Sequence, residues 1–539
     1  MNRQTFAWGR AGNQIRQTER WIDGLWIGGL FLAALLLMGI NLGTPPLGDW
    51  QEATVALVAR EIWRTPDLSW QWLYLTLNGV PYFEHPPLLH WLIAWSYEIG
   101  GVNEWTTRLP GALLSAISVP LLYKVGREIF PSRLSAIFSG LVYLTLLSFV
   151  RYGRMAMPEG AMLCFGLLTV WCVLRSRRDL RFCLGAGFGL ALLSLSKGIV
   201  ALFWLAMVLG FLAWDTPRLL TSGFFWSGLI LGGMPAIAWY AAQWFQYGQE
   251  FFKEAVVNHS LRRIWDSVED RRALPWYYLG EILLYAAPWL IFFPYGLRLA
   301  WEERNWSWGK LVLVWAVSFF VAISLMVTKL PWYILPVYPP LALAAGAKLA
   351  ETWNLPSYQT YPRVWRTGLM LLALCGVAGS VYFGVLDSAD RSLSLIFGCT
   401  ALTMLTAAFL VARRDSQFIL VLFWGMYVSL LLFMTSPHWL WKSQQSYPVK
   451  QVAGLVLQGT PTGATVYTSF AYERPSLNFY SDRTVTPASN SELKQYWQDT
   501  EPYFLLNITS LEQLHLESVR RVGTASDWVL VTKETQPGS

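Results

Sequence analysis

The chain has 539 residues, of which 54% are hydrophobic and 14% are charged, against roughly 25% charged residues in an ordinary soluble protein. With 31 tryptophans as well, this composition excludes a soluble globular class and indicates an integral membrane protein. The net charge of +7 comes mostly from short basic loops between apolar segments, so it indicates orientation and gives no reason to expect a nucleic-acid partner.

The first predicted span covers residues 21–40, about 20 residues, enough to cross a hydrocarbon core of roughly 30 Å. Arginines precede it, so we expect an uncleaved first helix with a cytoplasmic N-terminus. Twelve further spans are predicted at 109–123, 134–150, 160–174, 182–196, 198–214, 223–245, 276–299, 311–328, 332–350, 368–386, 393–411 and 418–435. The pattern predicts a multi-span α-helical membrane protein with about thirteen transmembrane helices.

Arginine and lysine in short loops indicate which side of the membrane is cytoplasmic. Such loops occur near residues 124–133, 175–181, 298–304, 363–366 and 413–414. Alternation then puts the opposite loops and the C-terminus outside: 48–108, 151–159, 246–275 and 329–331. We expect a multi-pass plasma-membrane protein, in the inner membrane if the source is bacterial.

The first outside loop carries charged and aromatic groups between strongly apolar segments. They are Asp49, Glu52, Arg60, Glu61, Tyr82, Glu84 and His85. Because charge near hydrocarbon is costly, such a group is a functional hypothesis by default; the alternative is a solvated loop. An aromatic helix at 88–97 follows, too short to span, and we expect it to lie along the membrane surface among the lipids.

A second outside motif, RYGRMAMPE at 151–159, puts Glu159 at the mouth of a span beside two arginines. Lys197, Arg262, Arg263 and Lys329 lie on the same predicted side. Each alone is more typical of a snorkelling side chain. Together they predict a phosphate site, because positive groups hold a phosphate and offset the charge that develops as it leaves.

The composition changes after residue 440. Short β-rich runs at 465–470, 503–507 and 528–532 alternate with helical stretches at 449–458 and 491–499, which predicts a small α/β domain on the outer face. We therefore divide the chain into domains 1–440 and 441–539. The five cysteines lie in or beside the spans, so they predict neither a disulfide framework nor a zinc site.

Four segments together carry a resemblance to a known family. They are NGVPYFEHPPLLHW at 78–91, EATVALVARE at 52–61, SKG at 196–198 and KLPWYILP at 329–336. They resemble the membrane glycosyltransferases of the aminoarabinose-transferase and protein O-mannosyltransferase group, of GT-C type, over about residues 40–350. The resemblance implies a multi-span enzyme that moves a sugar from a polyprenyl-phosphate carrier to a lipid or protein acceptor on the outer face.

The resemblance also implies roles for individual residues. It implies catalytic roles for Asp49, Glu52 and Glu159. Substrate-binding roles are implied for Tyr82, His85, Lys197, Arg262, Lys329 and Tyr333. A divalent metal ion would be bound by Glu84 and His259. Gln51 stands where the family has its usual catalytic Asp, and His85 stands where a Lys is more common. Asp49, two residues before Gln51, could substitute for the missing acid.

The implied reaction is an inverting displacement at the anomeric carbon. A hydroxyl acceptor would need Asp49 or Glu159 as base, whereas a phosphate acceptor would need no strong base. Two other functions stay open at this point. A transporter of a polyprenyl-linked lipid should show paired broken helices in two halves, which the sequence does not indicate. A degenerate family member acting as a binding protein is favoured by Gln51 alone.

Overall fold

The computed structural model describes residues 4–65, 70–266, 273–356, 359–386, 390–440, 448–499 and 502–534. The chain forms two compact units. The first unit comprises Met1–Leu42, Phe83–Leu89 and Leu109–Trp439, and the second comprises Gly43–Tyr82, His90–Arg108 and Leu440–Ser539. The second unit thus contains segments of the first loop as well as the C-terminal segment, which we did not anticipate. The division into domains 1–440 and 441–539 stays a prediction.

The first unit is helical. Its helices, some of which extend into the second unit, are Gln4–Gly39, Leu88–Gly100, Glu104–Ile129, Arg133–Leu144, Leu147–Gly153, Glu159–Ser176, Phe182–Lys197, Val200–Asp215, Pro217–Leu220, Gly223–Tyr247, Gln249–Phe251, Arg262–Trp265, Tyr277–Tyr285, Phe293–Glu302, Ser307–Leu325, Tyr338–Trp353, Arg363–Val381, Arg391–Ala412 and Phe418–Thr435. Wider π-helical turns occur at Phe252–Leu261 and Tyr382–Leu386, and tighter 3₁₀ turns at Trp289–Ile291, Pro331–Val337 and Pro437–Leu440.

Eight helices in the described part of the chain are long and apolar enough to cross a membrane, or up to ten if each of two bent pairs is one span. The bent pairs are Arg133–Leu144 with Leu147–Gly153, at 62°, and Tyr277–Tyr285 with Trp289–Glu302, at 119°. The chain is therefore a multi-span helical membrane protein. The finer count of about thirteen stays a prediction: two predicted spans coincide with the shorter helices Phe182–Lys197 and Val200–Asp215, and span 332–350 begins with a 3₁₀ turn.

The sharper bend falls inside the segment 276–299, for which we predicted one continuous span. Pro288 lies at the break between the two helices. Proline lacks the N–H that would continue the helical hydrogen-bond ladder, and its ring crowds the preceding turn. The hydrophobic run is therefore two helices that meet at a large angle.

Close helix packing in the first unit depends on glycine. A Cβ atom on Gly232 would lie 2.3 Å from the carbonyl oxygen of Leu184, on the neighbouring helix Phe182–Lys197. No side chain fits at that distance, so glycine lets the two backbones approach. Small residues at such contacts are typical of helices that pack within a membrane.

The second unit contains a five-stranded sheet. Its strands, in spatial order, are Thr484–Pro487, Thr465–Thr468, Tyr503–Asn507, Trp528–Lys533 and Val519–Ala525. The first three are parallel and the last two pair antiparallel with their neighbours. The helix Val449–Gly459 precedes the sheet in the chain, and the helices Pro475–Ser481, Asn490–Asp499 and Ile508–Leu514 lie between its strands. A buried apolar core, with Val452, Val466, Leu505 and Leu530 at its centre, forms on the sheet.

Segments of the first loop complete the second unit. They form a π-helical turn at Asp49–Ala53, the helix Thr54–Arg64, a 3₁₀ turn at Trp70–Trp72 and a short hairpin of Thr76–Leu77 with Val80–Pro81. Phe479, from the helix Pro475–Ser481, is buried in one apolar cluster with Leu47, Ala56 and Leu57. The early loop and the C-terminal segment therefore share a core.

Candidate functional site

Glu159 and Lys197 form a buried ion pair in the first unit. Glu159 begins the helix Glu159–Ser176, and Lys197 ends the helix Phe182–Lys197, which stops because Gly198 adopts a φ of +59°. Lys197 Nζ donates to Glu159 Oε1, and the Glu159 side chain is 1% exposed. Glu159 Oε2 is buried and accepts no hydrogen bond from the described residues. One oxygen of this carboxylate is thus committed and the other is available to a bound molecule.

Tight packing fixes the position of Glu159. A Cβ atom on the adjacent Gly160 would lie 2.3 Å from Ser115 Oγ and 2.7 Å from the carbonyl oxygen of Gly111. The helix Glu159–Ser176 therefore begins in direct backbone contact with the helix Glu104–Ile129. The backbone that carries Glu159 is thus held in place, as a reacting group needs.

A second cation lies beside the pair. Arg263 Nη1 is 3.4 Å from the hydroxyl oxygen of Tyr333, and Arg263 Nη2 is 3.6 Å from Glu84 Oε1. Lys197 Nζ lies 5.9 Å from the centre of the same Tyr333 ring. Tyr333 thus stands between two cations, and the cluster of Glu84, Glu159, Lys197, Arg263 and Tyr333 is mixed in charge. Among its charged side chains, Glu159, Lys197 and Arg263 are at most one fifth exposed, whereas Glu84 is more than a third exposed.

His85 faces this cluster as a neutral imidazole. Burial, together with the positive charges of Lys197, Arg263 and His259, lowers the pKa of His85 to about 3. A neutral imidazole can both donate and accept a hydrogen bond, and it adds no charge to a site that already holds two cations. The titratable side chain expected here is therefore uncharged at neutral pH.

The surroundings of Glu84 do not fit a metal ion. Within the described residues, no three side chains of the types His, Cys, Asp and Glu come together. Glu84 faces the guanidinium of Arg263 at 3.6 Å, and a cation bound there would meet like charge. His259, on the π-helical segment Phe252–Leu261, lies near enough to affect His85 electrostatically. The carboxylate of Glu84 is therefore suited to an ion pair with arginine.

Two predicted substrate-binding cations are engaged elsewhere in the first unit. Lys329 Nζ donates to the carbonyl oxygens of Ile323 and Ser324, at 2.9 Å and 2.7 Å, at the end of the helix Ser307–Leu325. Arg262 is more than half exposed and pairs with Asp266 at 3.1 Å. Its neighbour Arg263 contacts Tyr333 and Glu84 instead.

Glu52 belongs to the second unit, where it is fully buried against Arg108. The two side chains make a bidentate pair, with both N–O distances 2.7 Å, and neither is exposed to solvent. Glu52 also accepts from the Gly48 N–H at 3.1 Å, and Arg108 Nη1 donates to the Pro45 carbonyl at 2.7 Å. This network joins the start of the first loop, residues 45–52, to its end at Arg108.

Asp49, also in the second unit, is held by the C-terminal segment. It accepts hydrogen bonds from the N–H of Ser476, at 3.2 Å, and from the hydroxyl of Ser476. Arg474 Nη1 adds an ion pair at 3.4 Å, and the Asp49 side chain is 11% exposed. Swinging toward Gln51 to replace a missing acid would break these three contacts.

Tyr82, the last predicted substrate residue, lies at the end of the hairpin in the second unit. Its N–H donates to the Leu75 carbonyl at 2.8 Å, and its ring packs edge-on against His90 with 5.6 Å between centres. The structure thus groups Glu84, His85, Glu159, Lys197 and Tyr333 in the first unit. The residues Asp49, Glu52 and Tyr82 belong to the second.

Two arginines at these centres, Arg108 and Arg474, were missed as site residues, whereas Arg263 was expected with Arg262 among the cations of the phosphate site but was given no substrate-binding role of its own. Arg263 directly follows Arg262, and sequence spacing gives no basis for choosing between them because a π-helical turn shifts the phase of the preceding segment. Arg108 carried a usable signal, since an arginine at the start of a predicted apolar span is expensive without a partner. Arg474 carried no signal of this kind in the sequence.

Comparisons with known proteins agree with this architecture. Residues 84–240 match the family described as dolichyl-phosphate-mannose-protein mannosyltransferase. An undecaprenyl phosphate-alpha-4-amino-4-deoxy-L-arabinose arabinosyl transferase from Pseudomonas fluorescens is 27% identical over 333 residues, which cover 59% of this chain and 58% of that protein. A transferase of the same name from Aeromonas salmonicida is 28% identical over 63% of this chain and 62% of its own. The chain therefore spans about three fifths of these relatives.

Solved structures extend the likeness to nearly the whole chain. ArnT from Cupriavidus metallidurans, bound to undecaprenyl phosphate, superposes with a TM-score of 0.76 at 19% identity and covers 94% of this chain and 98% of its own. The archaeal oligosaccharyltransferase AglB from Archaeoglobus fulgidus gives 0.53 at 13% identity, over 90% of this chain and 70% of its own. At such identities the likeness shows the fold. These findings confirm the resemblance that the motifs indicate, to the polyprenyl-phosphate-sugar-dependent membrane glycosyltransferases, and the chain has an ArnT-like fold.

Proposed function

We propose that this protein is a glycosyltransferase that moves a sugar from a polyprenyl-phosphate carrier to a lipid or protein acceptor on the outer face of the membrane. The names of the relatives support the donor class, as does the carrier bound in the ArnT structure. The observation that carries the proposal is the buried Glu159–Lys197 pair, whose carboxylate keeps one oxygen without a partner among the described residues. A buried acceptor of this kind is suited to a substrate hydroxyl.

With a hydroxyl acceptor, Glu159 Oε2 takes the hydroxyl proton. The acceptor oxygen attacks the anomeric carbon, and the bond from that carbon to the carrier phosphate oxygen breaks with its electron pair on the phosphate. The configuration at the anomeric carbon is inverted, and the carrier leaves as polyprenyl phosphate. General-base catalysis of this type contributes about 10²–10⁴ in rate.

Proton uptake and departure of the phosphate are coupled through Lys197. Once Glu159 is protonated, its negative charge no longer offsets Lys197, and the ammonium is free to stabilise the charge on the leaving phosphate. Arg263 supplies a second cation through its position beside Tyr333. Charge-assisted hydrogen bonds to a developing anion are among the largest catalytic terms.

With a phosphate acceptor, the attacking oxygen already carries charge and no strong base is needed. Glu159 then keeps Lys197 in place and does not take a proton. The acid-to-amide change at Gln51 would also matter less. The two acceptor classes therefore predict different consequences for Glu159→Gln, which a pH–rate profile separates.

The remaining finer features also belong to the proposal. The apolar segments support about thirteen spans. The basic loops support an orientation with the C-terminal α/β domain and the loops 48–108, 151–159, 246–275 and 329–331 outside. A divalent metal on Glu84 and His259 is implied by the resemblance, but the contact of Glu84 with Arg263 supports an ion pair in its place. For a bacterial source, the location is the inner membrane.

The test is turnover of a panel of radiolabelled polyprenyl-phosphate sugars by the purified protein in nanodiscs, with Gln51→Asp run in parallel. Transfer or hydrolysis by the wild type supports the proposal. Activity in Gln51→Asp alone would show an enzyme scaffold that has lost its acid. Silence in both, with donor binding retained, would overturn the proposal in favour of a binding protein or a lipid transporter.

A further inference from the structure

The helix Pro475–Ser481 is joined to the first loop through contacts that are polar and specific. Besides the bonds of Ser476 and Arg474 to Asp49, Arg60 Nη1 donates to the Phe479 carbonyl at 2.9 Å and pairs with Asp482 at 3.1 Å. Tyr480 is bonded at both ends of the loop: its hydroxyl accepts from the Leu47 N–H at 2.9 Å and donates to Glu104 at 3.0 Å.

Asp49 also performs a helix-capping task at this contact. Its carboxylate accepts the N–H of Ser476 at the start of the helix Pro475–Ser481, where backbone N–H groups have no partner within the helix. Arg474, the other partner of Asp49, lies over the rings of Phe470 and Tyr472, at 4.4 Å and 5.0 Å. Aromatic packing therefore holds the Arg474 guanidinium in place independently of its ion pair with Asp49.

The segment immediately after Asp49 contains the groups that the resemblance implies in the reaction. Trp50, Gln51 and Glu52 follow in one π-helical turn, and Trp50 packs on Tyr472 with 6.3 Å between ring centres. The opposite end of this turn is held by Glu52 through Arg108. A carboxylate thus holds each end of the turn. Glu52 bonds to Arg108 within the first loop, and Asp49 bonds to the C-terminal segment.

We propose that Asp49, Ser476 and Arg474 are positioning residues, through which the C-terminal segment sets the conformation of the turn Asp49–Ala53 for the transfer reaction. Asp49 then acts through the turn and does not take a proton from the acceptor. The kinetic part of this inference rests on the proposed function, because it needs a measurable transfer. Its structural part does not.

The kinetic test compares Asp49→Asn, Ser476→Ala, Arg474→Gln and the double variant Asp49→Asn/Ser476→Ala. A displaced turn should lower kcat by about 10-fold to 100-fold in each single variant and leave the KM for the carrier lipid unchanged. The double variant should be little worse than either single one, because all three residues serve one contact. Ser476→Thr, which keeps the hydroxyl, should restore most of the activity.

A pH–rate profile separates positioning from catalysis. If Asp49 positions the turn, Asp49→Asn keeps the acidic limb of the wild-type profile. The inference would be overturned, and Asp49 would be the base, if Asp49→Asn lost that limb. It would also be overturned if Asp49→Asn were inactive while Ser476→Ala and Arg474→Gln kept full activity. Ser489→Ala is the matched control, since it removes a serine from the start of another helix in the same unit without touching the first loop.

Hydrogen exchange tests the structural part without a substrate. In Ser476→Ala, amides of residues 48–64 and 475–482 should exchange faster together, while those of the strand Tyr503–Asn507 keep the wild-type rate. Unchanged exchange in residues 48–64 would refute the coupling. If the wild type shows no transfer at all, the proposed function fails, and this exchange experiment still decides whether the C-terminal segment holds the turn.

Discussion

The two carboxylate centres of this protein differ in how many of their oxygens are occupied. In the first unit, Glu159 gives one oxygen to Lys197 and keeps the other buried without a partner in the described chain. In the second unit, both oxygens of Glu52 are bonded to Arg108, and Asp49 is bonded to Ser476 and Arg474. A carboxylate that reacts needs an unoccupied oxygen, whereas one that stabilises a loop does not. We therefore expect substitution of Glu159 to affect the chemical step directly, and loss of the partner of Glu52 to affect stability.

The largest effect is expected from Glu159→Gln. The amide cannot take a proton, so kcat for a hydroxyl acceptor should fall by about 10²–10⁴ and the acidic limb of the pH–rate profile should disappear. Turnover with saturating donor in nanodiscs measures this. Glu351→Gln, an exposed carboxylate paired with Lys348, is the control for the chemical change. Retention of more than about a third of the wild-type kcat would remove Glu159 from the role of base.

A change in stability is expected from Arg108→Met. It leaves Glu52 charged and buried without its partner, which typically costs about 3–5 kcal/mol. Thermal unfolding in detergent should show a clearly lower midpoint. Arg64→Met removes a half-exposed partner of Asp482 and should cost no more than about 1 kcal/mol. Equal midpoints for the two variants would contradict the structural role of the Glu52–Arg108 pair.

Adjacent arginines give a sharper comparison within the first unit. Arg263→Gln removes a cation beside Tyr333 and should raise the KM for the carrier lipid about 10-fold, since hydrogen bonds to a charged group contribute about 1.5–3 kcal/mol. Arg262→Gln removes an exposed arginine paired with Asp266 and should change KM by less than about 2-fold. The reverse order would show that the carrier meets Arg262 and not Arg263.

The smallest expected effect concerns His85 and acid. Its pKa, lowered to about 3 mainly by burial, lies below the usual unfolded value of about 6.5. The unfolded chain therefore binds a proton that the folded chain refuses, and stability contributed by neutral His85 is present above pH 6.5 and is lost as pH falls toward 3. Between pH 7.5 and pH 6, the free energy of unfolding should fall by up to about 1 kcal/mol less in His85→Gln than in the wild type. An equal fall in both would mean that His85 titrates normally.

Hydrophobic periodicity and length predicted most of the helical part, because each span must be apolar on its own. The three central strands of the sheet were predicted for a similar reason: Thr465–Thr468, Tyr503–Asn507 and Trp528–Lys533 each present apolar residues to a core. The two edge strands were missed. Thr484–Pro487 ends in proline, and Val519–Ala525 carries Arg520 and Arg521, which are features that disfavour further pairing at an edge.

The site was less predictable than the fold because its contacts join residues far apart in the chain. Glu159 and Lys197 were both candidates, but no spacing rule pairs residues that lie 38 positions apart on different helices. Lys329 was expected near phosphate because it is a cation in a suggestive motif. Its ammonium instead meets the carbonyl groups at a helix end, which are equally suitable partners for a positive charge.

The bond between Asp49 and Ser476 joins positions 427 residues apart, and this separation sets an order of assembly during synthesis. At roughly 5–20 residues per second, the first loop waits about 20–85 s before its partner helix is made. In that interval the apolar residues that later surround Phe479, such as Leu47 and Leu57, have no cover from the C-terminal segment. A chain that ends before Phe479 would therefore have its spans and leave Leu47 and Leu57 without this cover.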